Sequence, residues 1–119
     1  MAYAASSLSL AVLELLVHVD PADSPDDLIA IRFELPDDVA VSHLPPAELP
    51  KDWRHDVGIA ALRSLGARWV QTRQTAVLIV PSVIVPAEAN VLVNPRHPDA
   101  ARIKAIVRES FHLDPRLRP

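Results

Sequence analysis

The chain has 119 residues, 50% of them hydrophobic, and a formal net charge of −3. That suits one domain with a buried core, and the 12 basic residues are scattered, with no cluster of the kind a nucleic-acid partner requires. The absence of cysteine excludes disulfides and thiolate chemistry and fits a reducing cytoplasm, while 2 glycines against 12 prolines leave no glycine-rich phosphate loop.

Ser6 or Ser7 can cap a helix running to about His18 or Val19. This helix has no strand ahead of it, is apolar nearly all round, and is expected to be central and buried. Its apolar run, Leu8 to Val19, is short for a membrane span and contains Glu14 and His18. With no basic segment before it and no small-residue cleavage site after it, neither an anchor nor a signal peptide is expected. DPADSPDD, residues 20–27, is a polar loop broken by prolines. LIAIRFEL, residues 28–35, alternates apolar residues with Arg32 and Glu34 and reads as a half-buried strand; VAVSHL, residues 39–44, is a second.

PPAELP is a rigid loop, and Trp53 after it reads as a plug beneath that loop. A helix is expected from about Val57 to Val70, with Val57, Ala61, Leu62, Leu65 and Trp69 inward and Arg63, Ser64 and Arg68 outward. TAVLIVPS is a buried strand ending at Pro81, followed by two short extended pieces, VIVP and NVLVNP. A last helix is expected from NPRHPD onward, with Pro98 in its first turn and Ile103, Ile106 and Val107 as its apolar face. FHLDPRL closes the chain as a short strand or extended tail. The order implies an α+β fold, a mixed and mainly antiparallel sheet with about three helices, in a single domain spanning residues 1–119.

Glu14 is the sharpest chemical signal, because a carboxylate among leucine, valine and alanine is costly to bury unless it is paired or used. His18, four residues on, shares its helix face and can pair with it. Ser82 sits at the end of a hydrophobic strand, where sites in mixed sheets often lie, or bonds its own backbone there. Asn90 and Asn94 flank VLV and either close turns or line a pocket. The histidines show no ligand spacing, so no metal site is expected.

Together these stretches resemble the RES domain family. The resemblance rests on YAASSLSLAVLELLVHV, LP..W, GARWVQ, LIVPSVIVPAEANVLVNPRHPD and FHLDPRL, in that order and spacing, and covers essentially the whole chain. The resemblance implies an ADP-ribosyltransferase-like fold, with the family's glutamate at Glu14, its serine at Ser82, its aromatic at Tyr3, and its amide at Asn94 with Asn90 before it. It implies a cytoplasmic toxin, paired with an Xre-type antitoxin, that cleaves NAD at the nicotinamide–ribose bond by hydrolysis or ADP-ribosyl transfer. Glu14 and Ser82 would be catalytic. Tyr3, Ser82, Asn90 and Asn94 would bind NAD as substrate, with no metal. RES domains carry a GGRWN-like segment and an arginine ahead of the tyrosine; Met1 stands there instead. An N-terminally truncated domain with weakened phosphate binding is therefore expected. The alternative is an inactive remnant that only binds the antitoxin or forms a homo-oligomer through its apolar first helix.

Overall fold

The structure, a computed structural model, describes residues 2–19, 25–49 and 51–117, without the side chains of residues 46 and 56–59. The first part of the expected 20–27 loop and the inward placing of Val57 lie outside the described residues.

A strand, β1 (Ala2–Ala5), opens the fold. The expectation of a first helix with nothing ahead of it is therefore corrected. Ser7 then caps α1 (Leu8–His18), its Oγ accepting the Leu10 amide at 3.1 Å. Strands β2 (Ile29–Glu34) and β3 (Val41–His43) follow. After them come α2 (Asp56–Thr72), β4 (Val77–Pro81) and β5 (Ala89–Val93).

The expected last helix is corrected as well. Pro98 does start a helical turn, capped by His97 Nδ1, but it ends after Arg102 as a single 3₁₀ piece. Residues Lys104–Ser110 form a strand, β6, because the β-branched pair Ile106–Val107 is better accommodated on an extended backbone paired with β2. VIVP is a loop rather than an extended piece, and the C-terminal tail ends in a 3₁₀ turn over Pro115–Leu117. The class is α+β, with two α-helices among the described residues where about three were expected.

The main sheet runs β1-β5-β4-β3, antiparallel except for the parallel β3–β4 pair; β2 and β6 make a separate antiparallel ribbon with a register shift between Arg32 and Phe33. Register sorts the main sheet into two faces, since side chains alternate along each strand. Val77, Ile79 and Val91 face one side and pack with Val39, Leu35 and Ile103. Leu78, Val80 and Leu92 face the other and pack with Trp69 and Val70 of α2. Trp69 Nε1 also donates to Thr75 Oγ1 at 3.1 Å, which pins the end of α2 to the start of β4. α1 is less enclosed than its composition suggests: only Leu10 is buried, and Val17 is 64% exposed.

Candidate active site

Between α1, α2 and the second face of the sheet lies a cavity of about 640 Å³. Its floor follows from the strand register. Tyr3, Leu92 and Leu78 form one row across β1, β5 and β4, and Ala5, Asn90 and Val80 form the next. All six line the cavity. One wall is α1, through Ala11, Glu14, Val17 and His18, residues spaced to share a helix face. The other is α2, through Leu62, Arg63 and Gly66. Pro81, Val83 and Ile84 close one end.

The helix that carries Glu14 is latched to the β4–β5 loop at its start. Ser6 N donates to the Ala89 carbonyl at 3.0 Å, and Ser7 Oγ donates to Glu88 Oε1 at 3.1 Å. This fixes the first turn of α1, and Glu14 one and a half turns further along meets the sheet floor.

Glu14 is half-buried, its side chain 25% exposed. Its Oε1 accepts two hydrogen bonds, from Asn90 Nδ2 at 2.8 Å and from Ser82 Oγ at 3.1 Å. His18 Nε2 lies 3.9 Å from Oε2, and the histidine is mostly in solvent. The carboxylate is thus oriented through one oxygen, while the other has, among the described residues, the loose His18 contact alone.

Ser82 is fully buried and does not line the cavity. Its Oγ donates to Glu14 while accepting the Ile84 and Val85 amides, both at 3.1 Å. Ser82 therefore bonds its own backbone at the strand end, and the same oxygen also holds Glu14.

Asn94 is not brought to this cavity. It is fully buried, with Nδ2 donating to the Val70 carbonyl at 3.1 Å and Oδ1 accepting the Arg96 amide at 3.1 Å. Val70 belongs to the last turn of α2, whose carbonyls have no helical partner, so Asn94 caps that helix. Tyr3 does line the cavity, but at 69% exposure it stands at the mouth.

Arg63 and Gly66 were not singled out from the sequence. Arg63 was expected to face outward, and it is exposed, yet it forms part of the cavity wall. The sequence held no signal for Arg63 itself; the mid-helix Gly66 three residues on hints at a close approach or a gap but does not say which residue borders it. Among the described residues no group of His, Asp and Glu side chains is placed to hold a metal ion, and no helix is long and apolar enough to cross a membrane.

The sequence matches the RES domain family over residues 1–114. The chain belongs to that family. The Prs ADP-ribosylating toxin of Sphingobium sp. (strain YBL2) is 43% identical over 117 residues, covering 97% of this chain and 73% of that protein. Toxin Res of Yersinia enterocolitica is 37% identical, covering 98% of this chain and 76% of its own length. Toxin Res of Pseudomonas putida is 42% identical, with 97% and 77% covered. In this RES domain, the glutamate and serine that the resemblance singled out are joined by a direct hydrogen bond across 68 residues of sequence.

Proposed function

We propose that this chain is a RES toxin that consumes NAD, with Glu14 facing the charge that develops as the nicotinamide–ribose bond breaks. The observation that carries the reading is a lone carboxylate held by Ser82 and Asn90 on the wall of a largely apolar cavity. The cavity's size falls within the range for small-molecule sites, about 300–1,000 Å³. The names of its relatives as toxins, one of them ADP-ribosylating, point the same way.

The chemistry needs one carboxylate rather than an acid–base pair. As the C1′–N bond of NAD breaks, its electron pair goes to the pyridinium nitrogen, so nicotinamide leaves neutral without needing a proton. The ribose becomes an oxocarbenium-like cation. Glu14, pre-oriented at a half-buried position, stabilises that cation or holds a ribose hydroxyl, where a fixed charge is worth more than in bulk water. Water or a protein nucleophile then bonds to C1′ and loses a proton, giving ADP-ribose or an ADP-ribosylated product. Asn90 and Ser82 keep the carboxylate aimed, and Tyr3 at the mouth offers a ring for the substrate to rest on. The partner that fits this reading is an Xre-type antitoxin, and co-purification of the two proteins tests that part.

The activity test is nicotinamide release and NAD loss for the wild-type chain and Glu14→Gln. The glutamine keeps an acceptor for Asn90 and Ser82 while removing the charge. The rate should fall by about 10²–10³-fold, the usual cost of losing one preorganised electrostatic contact. Full activity in Glu14→Gln, or no NAD loss in the wild type, would sink the reading.

A further inference from the structure

We infer that Arg63 is the anion contact of this cavity and receives the pyrophosphate of the dinucleotide, an assignment that rests on the NAD reading above. Among the described residues, the basic side chains lining the cavity are Arg63 and His18. His18 already faces Glu14, with 3.9 Å between Nε2 and Oε2. Arg63 takes part in none of the hydrogen bonds or ion pairs found among the described residues, so the donors of its guanidinium are unspent there. Among the described residues Glu14 is the only acid on the cavity wall, and it belongs to α1, whereas Arg63 belongs to α2.

Among the described residues the cavity therefore carries one fixed charge of each sign, on different walls. NAD has the matching polarity, with a cationic ring at one end and two phosphate charges in the middle. A carboxylate that meets the developing ribosyl cation leaves the phosphates to the opposite sign. Arg63 is exposed, so it sits at the solvent side of the wall, where strongly hydrated phosphates can be met without burying them. Arginine suits this task because its planar fork can grip phosphate oxygens in pairs. Gly66 follows on the same helix face, is buried, and has no side chain to occupy the space beside Arg63.

The test uses ADP-ribose, which carries the pyrophosphate and lacks nicotinamide, with adenosine as the uncharged control. Calorimetric affinities are measured for the full chain, Arg63→Gln and Arg63→Lys. Arg63→Gln should weaken ADP-ribose by about 10- to 100-fold, as loss of a charge-assisted bond does, and Arg63→Lys should fall between. In parallel, the ratio of kcat/KM for NAD to that for nicotinamide riboside, which has no phosphate, should fall by a similar factor in Arg63→Gln. A merely structural residue would not move that ratio. Equal ADP-ribose affinity in the wild type and Arg63→Gln, or no measurable affinity in either, overturns the assignment. If NAD is consumed and its KM ignores Arg63, the inference fails and the NAD reading stands. If ADP-ribose binds through Arg63 but no nicotinamide is released, the anion contact stands and the NAD reading fails.

Discussion

Replacing Ser82 by alanine removes one oxygen that serves three partners in a site with no exposure to solvent. The Ile84 and Val85 amides lose their acceptor, at about 1–3 kcal/mol each if they stay dry, and a hydrogen bond to a carboxylate contributes about 1.5–3 kcal/mol. Relaxation of the β4–β5 loop and entry of water offset part of this, leaving a net loss of about 3–5 kcal/mol. For a domain of this size each kcal/mol moves the melting midpoint by about 3–6 °C, so Tm should drop by about 10–30 °C. The rate of the protein that remains folded should change far less. Asn90 still donates to the same Glu14 oxygen at 2.8 Å, so loss of one positioning bond should lower kcat by about tenfold. Circular dichroism on heating gives Tm, and NAD consumption well below the midpoint, corrected for the folded fraction, gives the rate. A variant that melts within about 2 °C of wild type yet loses more than about a hundredfold in rate would refute the reasoning. That result would mean the hydroxyl touches the substrate instead of holding Glu14.

The mirror case is Asn90→Ala, which frees the carboxylate from its shorter bond at a half-buried position. It should lower kcat by about 10-fold or more while moving Tm by only a few degrees, read by the same pair of measurements. Asn94→Ala should do the reverse. It strips the cap from the Val70 carbonyl and should lower Tm by about 10 °C, with KM for NAD unchanged because Asn94 lies off the cavity wall. Hydrogen bonding from the Arg102 guanidinium, then its charge, holds the Asp38 carboxyl below its ordinary value of 3.8. A depressed carboxyl contributes stability that is present above the ordinary value and is lost as pH falls through the lowered one. Wild-type and Asp38→Asn melting curves should therefore differ slightly at pH 6 and converge below the lowered value. The difference should shrink in high salt, because the pair is exposed.

Elements were legible in the sequence where a segment's periodicity was matched by its pairing. TAVLIVPS became β4 and the Val57–Val70 stretch became α2, whereas LIAIRFEL became the strand β2 but not a half-buried one, since Ile29, Ile31 and Phe33 are exposed. Legibility failed where local pattern and long-range pairing disagree. Residues 98–110 carry a proline start and apolar residues at helical spacing, but β2 has a free edge for them to pair with. β1 is four residues long and alanine-rich, with neither the β-branched content nor the length that signals a strand. Only its pairing with β5, Ala2 opposite Val93 through Ala5 opposite Asn90, makes it one.

The site divides along the same line. Glu14 stood out because a carboxylate in an apolar helix needs partners to be buried, and the two it has, Ser82 and Asn90, are polar residues that had looked misplaced in strand sequence. Each anomaly accounts for another, although the sequence had offered Glu14 only His18 as a partner, 3.9 Å away in the structure. Asn94 raised the same suspicion for a different reason. Its amide completes a helix end, and residue type cannot separate a capped carbonyl from a bound ligand, since both need the same donor. Arg63 raised no suspicion, because an arginine on the polar face of an amphipathic helix breaks no rule. What makes it significant is the neighbouring gap: α1 and α2 stand over one sheet face without closing on each other, so a residue that faces solvent also faces the cavity. Buried polar groups announce themselves by their cost, whereas an exposed cation becomes informative only once the shape beside it is known.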